Sequence, residues 1–240
     1  MRGLFITGTD TGVGKTWITG TIARQLLQQD ELTVGLYKPV CSGAERRDDG
    51  TLCWPDLEHL YSALKEKYSR EHICPQLFEA PLAPPVAAAA EGTQVDAELL
   101  LSGVDWWRSR VDLLVIEGVG GWYCPLTETE MVADYVTTLG YPVVIVARLG
   151  LGTINHTLLT LEAVRARRLS VAGVVLNEAV SLADDASIET NAEEIEKWGK
   201  TEVLGVMRHR QAYLPRNGTE TDWFSLASPS SAGGTRPNLG

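Results

Sequence analysis

The sequence predicts an α/β fold in which one doubly wound, mostly parallel sheet carries helices on both faces. Apolar runs typical of strands buried on both faces alternate along the 240 residues with segments whose apolar residues recur at helical spacing. A glycine-rich loop lies between the first apolar run and the first helical segment. No internal repeat is visible. We expect one domain over residues 1–224 and a flexible tail, rich in Ser, Pro and Gly, over residues 225–240.

The glycine-rich loop is GTDTGVGKT, Gly8 to Thr16. It follows the apolar run Leu4 to Ile6 and precedes a helical segment in which Ile18, Ile22 and Leu26 lie on one face. Glycines allow backbone N–H groups to face inward, and a helix N-terminus adds positive potential. This strand, loop and helix therefore predict a phosphate-binding loop of the P-loop NTPase type.

The side chains of this loop predict a nucleotide site. We expect Lys15 to reach the β- and γ-phosphates and the Thr16 hydroxyl to ligate Mg²⁺. The loop is a variant, because the common pattern needs a glycine where Thr9 stands. Asp10 and Thr11 also replace the lysine and glycine of many partitioning ATPases, whose loop is KGGVGKT. The predicted nucleotide contacts from this segment are Gly12, Val13, Gly14, Lys15, Thr16 and Trp17.

The composition argues against some classes of function. A formal net charge of −10 disfavours a broad surface for nucleic acid or anionic membranes. No stretch approaches the ~20 apolar residues of a membrane span. We expect no secretory signal, because the first residues predict a strand that leads into the phosphate-binding loop. Cys41, Cys53, Cys74 and Cys124 form no C-x-x-C pair, which favours reduced thiols. We expect a cytoplasmic protein without nucleic-acid or membrane partners.

The second predicted strand, Leu32 to Tyr37, is ended by Lys38 and Pro39. Lys38 is thereby placed at the carboxyl end of a strand, the edge where ligands bind in open parallel sheets. A small-residue loop, Val40 to Gly43, follows and is suited to close approach to a ligand. We therefore predict that Lys38 is a functional residue. A charged loop is expected at Arg46 to Gly50.

A helix is predicted over Asp56 to Leu64, with leucines along one face. Asp56 permits two interpretations that the sequence leaves open: it caps this helix, or it is a second carboxylate for Mg²⁺. His59, in the same segment, is interpreted as a surface residue.

The apolar strand Val111 to Ile116 is followed by Glu117-Gly118-Val119-Gly120-Gly121. A carboxylate at the end of such a strand is the Walker B arrangement, which places one acid near the magnesium of a nucleotide. The glycines allow the backbone to approach phosphates. We predict Glu117, Gly118, Val119 and Gly120 as nucleotide-binding residues.

The remaining segments continue the alternation of strands and helices. Asn177 ends one strand, and of its two interpretations, contact with a nucleotide base is favoured over capping of a turn. Trp106 or Trp107 is expected to pack. Helices are predicted over 86–91, 95–108, 131–136, 157–168 and 189–199, strands over 142–147, 171–176 and 202–206, and a loop over 148–156.

Several motifs occur in a fixed order between roughly residues 3 and 180. The motifs are GTDTGVGKT, YKPVCSG (Tyr37 to Gly43), LAPPVAA (Leu82 to Ala88), EGVGGWYCPL (Glu117 to Leu126), GLGTINHTLLT (Gly150 to Thr160) and, more weakly, VVLNE (Val174 to Glu178). By these motifs the chain resembles the dethiobiotin synthetases, the ATP-dependent cyclases of biotin synthesis.

The resemblance implies a reaction on 7,8-diaminononanoate. CO₂ carboxylates one amine to a carbamate, ATP phosphorylates the carbamate to a mixed anhydride, and the second amine displaces phosphate to close a cyclic urea. ATP is then a co-substrate and Mg²⁺ a cofactor. Because a free amine is the nucleophile, no general-base histidine is expected in the pocket.

The resemblance also implies roles for residues. Lys15 and Lys38 would surround the γ-phosphate and the carbamate, with Thr11 as a further catalytic residue that, with Ser42, hydrogen-bonds the carbamate or diamine. Thr16, Asp56 and Glu117 would hold Mg²⁺. In a homodimer, the segment Leu151, Gly152, Thr153, Ile154 and Asn155 would bind the carboxylate tail of the substrate across the interface.

Two alternatives stay open at this point. One is a paralogous P-loop ligase with a different diamine or carboxylate substrate. The other is a partitioning-type ATPase switch, against which Asp10 and the YKPVCSG loop speak. The preferred base is also open, because residues 206–210 are Val-Met-Arg-His-Arg, where the family commonly has a proline-containing loop that lines the adenine site.

Overall fold

The computed structural model describes residues 1–29, 31–181, 185–209, 213–215, 218 and 220–229. The helices are α1 (Lys15–Leu26), α2 (Pro55–Ala63), α3 (Arg70–Ile73), α4 (Pro84–Ala90), α5 (Ala97–Arg108), α6 (Val132–Leu139), α7 (Thr153–Ala166), α8 (Ile188–Gly199) and α9 (Trp223–Leu226). The strands are β1 (Arg2–Gly8), β2 (Val34–Tyr37), β3 (Val40–Ser42), β4 (Glu45–Arg46), β5 (Leu52–Cys53), β6 (Gln76–Phe78), β7 (Leu113–Glu117), β8 (Val143–Arg148), β9 (Val171–Asn177), β10 (Val203–Met207), β11 (Tyr213–Pro215) and β12 (Ser228–Pro229).

The main sheet has the strand order β11-β10-β9-β8-β1-β7-β2, and β12 pairs with β1. The six strands from β10 to β2 are mutually parallel, whereas β11 and β12 pair antiparallel with their neighbours. Every residue of β7 is buried, as in a strand covered on both faces. The predicted α/β class with a mostly parallel sheet is confirmed.

The sheet order brings three strand ends together. β1 and β7 are neighbours, with Ile6 opposite Glu117, and β7 and β2 are neighbours, with Ile116 opposite Tyr37. The phosphate-binding loop follows β1, Glu117 ends β7 and Lys38 follows β2. All three therefore lie at the same edge of the sheet. Parallel strands share their carboxyl edge, so this proximity follows from topology.

Among the helices of the described residues, none has both the length and the apolar character that a membrane span requires.

Two segments predicted as loops are regular structure. Val40–Ser42 forms β3, which pairs with β6 in a separate two-stranded sheet. Most of the expected small-residue loop is therefore held in place by strand pairing. Helix α7 begins at Thr153 and not at 157, because Gly152, at φ 89°, adopts the left-handed conformation that starts the helix there. The predicted loop therefore ends at Gly152.

Residues 225–229, predicted as part of a flexible tail, pack against the domain. Trp223 is buried and its indole nitrogen donates to Gln25 Oε1 at 2.7 Å, which anchors α9. Arg2 donates to the carbonyl of Ala227 at 3.0 Å, and β12 then pairs with β1. The expectation of flexibility is therefore wrong for residues 225–229, and residues 230–240 lie outside the described residues.

A first prediction concerns Trp107, the member of the expected tryptophan pair that is fully buried. Its indole nitrogen donates to the carbonyl of His72 at 3.0 Å, and a Cβ added at Gly35 would lie 2.6 Å from its ring. We expect Trp107→Ala to lower the free energy of unfolding by about 3–5 kcal/mol, because the cavity left cannot collapse fully. Chemical denaturation measures this loss.

The matched control is Trp198→Ala on α8, where the side chain is 63% exposed. Its loss should cost less than about 1 kcal/mol. Equal losses in the two variants would contradict the assignment of Trp107 to the core.

Candidate functional site

A cavity of about 420 Å³, here called the phosphate cavity, opens at the carboxyl edge of β1, β7 and β2. It gathers residues from the phosphate-binding loop, the end of β7, the β2–β3 connection and α2. Its lining residues are Thr11, Gly12, Gly14, Lys15, Thr16, Trp17, Lys38, Cys41, Ser42, Pro55, Asp56, His59, Glu117, Val119 and Gly120.

At the base of this cavity lies a group of four polar side chains, here called the charge cluster: Thr16, Lys38, Asp56 and Glu117. Lys38 Nζ donates to Glu117 Oε1 at 2.7 Å and also to Asp56 Oδ2. Thr16 Oγ1 donates to the same Glu117 oxygen at 2.6 Å. Lys38 and Glu117 are buried, while Asp56 is partly open to solvent. The cluster places one cation between two carboxylates.

The charges of the cluster depend on one another. Burial alone would lower the pKa of Lys38, but Glu117 and Asp56 outweigh it and raise that pKa, so Lys38 stays protonated. Burial would raise the pKa of Asp56, but Lys38 holds it below its usual range. Lys15 differs, because burial lowers its pKa despite Glu117. Its Nζ donates to the carbonyl of Asp10 at 3.1 Å.

The cluster also has the donor set of a magnesium site. Glu117 Oε2 is buried and has no hydrogen-bond partner among the described residues. The Thr16 hydroxyl and the Asp56 carboxylate lie on the same cavity wall. Mg²⁺ prefers such hard oxygen ligands and keeps several waters, so these residues fit the ion. In the described ranges, no group of three or more His, Cys, Asp or Glu side chains has a metal-binding arrangement.

The structure excludes one of the two interpretations of Asp56 and leaves its role as a Mg²⁺ ligand a prediction. Trp54 occupies the N-cap of α2, Pro55 begins the helix, and no side chain caps it. Asp56 instead lines the cavity and accepts from Lys38. The capping interpretation is therefore wrong for this residue.

The phosphate-binding loop is shaped by glycines and held by Asn177. Gly12 and Gly14 have φ of 73° and 89°, which favour glycine. Asn177, at the end of β9, donates from Nδ2 to the carbonyl of Val13 at 2.8 Å. Any Cβ at Gly14 would lie 2.0 Å from this amide. One N–H of this amide thus holds the loop, and base contact by Asn177 stays a prediction.

A second cavity of about 320 Å³, here called the side cavity, adjoins the first and shares Gly14 and Trp17 with it. The last residues of β9 and β10 and the residues that follow them form the rest of its wall. The segment after β10 is where the sequence departs from the adenine-loop pattern of the family. The other lining residues are Asn177, Glu178, Ala179, Met207, Arg208 and His209. Arg210, the last residue of that pattern, lies outside the described residues.

Of the other predicted site residues, Thr11 and Ser42 line the phosphate cavity, and Ser42 Oγ donates to the carbonyl of Leu82 at 2.7 Å. Val119 and Gly120 line it as well. Two residues predicted to bind the nucleotide, Val13 and Gly118, do not line the phosphate cavity. The Val13 side chain is buried in the core, and the Gly118 amide donates to the carbonyl of Ile6 at 2.9 Å.

The segment Leu151–Asn155 lines neither the phosphate cavity nor the side cavity. Leu151 is 81% exposed, and its amide donates to Asp185 Oδ2 at 2.8 Å. Thr153 is fully buried, with its hydroxyl 3.4 Å from that of Thr157. A role in substrate binding would therefore require a second copy of the chain, and it stays a prediction.

His59 belongs to the site, although the sequence indicates a surface residue. Its half-buried ring lines the phosphate cavity, so the surface interpretation is wrong. Burial, followed by Arg24, lowers the pKa of His59. The available signal was spacing, because residues three apart share a helix face, and His59 stands three residues after Asp56.

The chain is similar to known proteins in sequence and in fold. The family model described as "AAA domain" matches residues 2–213. The ATP-dependent dethiobiotin synthetase BioD of Anaeromyxobacter sp. (strain Fw109-5) is 43% identical, over 87% of this chain and 91% of that protein. The protein of the same name from Bacillus subtilis (strain 168) is 40% identical, over 86% of this chain and 87% of its own.

Among solved structures, a ParA family ATPase from Chlorobium tepidum TLS is similar, with a TM-score of 0.51 and 17% identity. The match covers 87% of this chain and 84% of the other, and at this identity it supports the fold alone. The relatives at 40% identity or more span most of both chains, and their similarity decides the family. The chain belongs to the dethiobiotin synthetase family.

Proposed function

We propose that this protein is a dethiobiotin synthetase that uses Mg²⁺ and ATP to join CO₂ to 7,8-diaminononanoate. The observation that carries the proposal is the buried Lys38, paired with Glu117 and Asp56 beside the phosphate-binding loop. The family relationship supports the same reaction, because relatives at 40–43% identity are named ATP-dependent dethiobiotin synthetases.

The reaction has three bond-forming steps. One amine attacks CO₂ and loses a proton, which gives a carbamate. A carbamate oxygen attacks the γ-phosphorus, and ADP leaves. The second amine attacks the carbonyl carbon of the mixed anhydride and loses a proton, and phosphate leaves as the five-membered cyclic urea closes. Each step needs positioning and neutralisation of negative charge more than covalent help from the protein.

The residues of the phosphate cavity are suited to this task. We assign Lys15 and the backbone N–H groups of the loop to the β- and γ-phosphates. Lys38 remains charged in its buried place, because two carboxylates face it, and it is assigned to the carbamate and the transferred phosphoryl group. Mg²⁺, held by Thr16, Asp56 and Glu117, would supply further neutralisation of the phosphates.

Binding of the diamine is assigned to hydroxyls of the same cavity. Ser42 uses its proton on the carbonyl of Leu82, which leaves its lone pairs to accept from an amine. Thr11 lies on the phosphate-binding loop and lines the same cavity. We further propose a cytoplasmic homodimer in which Leu151–Asn155 of one copy binds the carboxylate tail of substrate held by the other.

The function is tested by phosphate release with Mg-ATP and bicarbonate, with and without 7,8-diaminononanoate. We expect strong stimulation by the diamine and a cyclic-urea product by mass spectrometry. Stimulation by another diamine or carboxylate alone would favour a paralogous ligase. Turnover that responds only to a macromolecular partner would favour an ATPase switch and overturn the proposal.

A second test concerns Lys38→Ala. Removal of the cation that faces the carbamate should lower product formation at least ~100-fold, while the ATP dissociation constant changes less than about threefold. Quantified product and calorimetric ATP titration measure the two effects.

Two companion variants sharpen this test. Lys38→Met keeps the buried volume and should fail like Lys38→Ala, whereas Lys197→Ala, at an exposed position on α8, should behave as wild type. Near-normal product from Lys38→Met would remove Lys38 from its assigned role.

A third test concerns Glu117→Gln. Loss of a charged ligand should raise the Mg²⁺ concentration for half-maximal turnover about tenfold, while saturating Mg²⁺ restores part of the rate. Titration of Mg²⁺ at fixed ATP measures the shift, with Glu162→Gln on the exposed face of α7 as the control. An unshifted titration in Glu117→Gln would count against its assignment as a ligand.

A further inference from the structure

We propose that Trp17 is the surface on which the nucleoside part of the nucleotide packs, and that His59 is a positioning residue that holds the Trp17 indole in place. The inference rests on the proposed function in one respect, that a nucleotide binds at the phosphate-binding loop. It assigns a role to His59, which belongs to none of the sequence motifs.

The first step is the place of Trp17 in the molecule. It follows Thr16 directly in the first turn of α1, and its side chain is 49% exposed. Trp17 lines both the phosphate cavity and the side cavity, and Gly14 is the other residue that the two cavities share. A ligand that extends from one cavity into the other therefore passes the Trp17 ring.

The second step is the shape of that ligand. The triphosphate is expected at the loop, and the phosphate cavity must also admit the carbamate and the diamine. The nucleoside is then directed towards the side cavity, past Trp17. An exposed indole offers a flat apolar surface of the kind on which bases stack without regard to sequence. Such a contact suits any base.

The third step is what holds the indole. The ring centroids of Trp17 and His59 are 5.0 Å apart with planes at 33°. His59 fits against α1 because residue 20 is glycine, since a Cβ there would lie 2.5 Å from His59 Nε2. This nitrogen is buried and has no hydrogen-bond partner among the described residues. Its packing against Trp17 and Gly20, with no such bond, indicates a supporting role.

The experiment compares two probes, Mg-ATP and inorganic tripolyphosphate with Mg²⁺, by calorimetry. Trp17→Ala should weaken ATP binding about tenfold and leave tripolyphosphate binding within about twofold, because stacking is lost while the phosphate site stays. Trp17→Phe should retain most ATP affinity. His59→Ala should weaken ATP about threefold to fivefold, and His59→Phe should restore it, because a flat ring again supports the indole.

Turnover supplies a second measurement. Trp17→Ala should raise KM for ATP and leave kcat within about twofold, as expected for a contact made equally in ground and transition states. Trp198→Ala is the control for loss of an exposed indole. Unfolding midpoints of all variants should lie near that of wild type.

Three results would overturn the inference. Unchanged ATP affinity in Trp17→Ala would show that the nucleoside does not pack on Trp17. If Trp17→Ala weakened the binding of ATP and of tripolyphosphate equally, the role of Trp17 would be to maintain the conformation of the phosphate-binding loop. Wild-type behaviour of His59→Ala beside a weakened Trp17→Ala removes the positioning role. The binding assays contain no diamine, so they test this inference independently of the reaction. Failure to form the cyclic urea would refute the proposed function without affecting the roles of Trp17 and His59.

Discussion

The buried ammonium group of Lys38 is the constraint on which the site depends. A lysine taken out of water is costly unless opposite charges face it, and Glu117 and Asp56 supply them. These residues stand at the end of β2, the end of β7 and the first turn of α2. The charge cluster therefore forms only when both strands and this helix are correctly packed. The arrangement of the reactive groups thus depends on the fold.

The phosphate-binding loop is a second constraint, made mainly of backbone. Gly12 and Gly14 allow its left-handed turns, and Lys15 begins the helix whose N-terminus faces the cavity. The loop is not held by its own residues alone. Asn177 reaches from β9, two strands away, to the carbonyl of Val13. Anion binding thus depends on the strand order of the sheet as well as on local sequence.

The two constraints meet at the interface of α1 and α2. Helix α1 carries Lys15 and Thr16, and α2 carries Asp56, so packing of these helices sets the distance between loop and carboxylate. Trp17 and His59 pack across the same interface. A glycine at position 20 permits this close approach. The nucleotide contact that we infer and the charge cluster therefore share one structural support.

The sequence by itself determined the sheet class, the phosphate-binding loop, and the placement of Lys38 and Glu117 at strand ends, because glycine spacing and apolar periodicity are local signals. Only the tertiary structure decided that Asp56 faces Lys38 instead of capping its helix, that Asn177 holds the loop backbone, and that His59 lines the cavity. Each of these depends on contacts between elements distant in the chain, and local pattern carries no information about such packing.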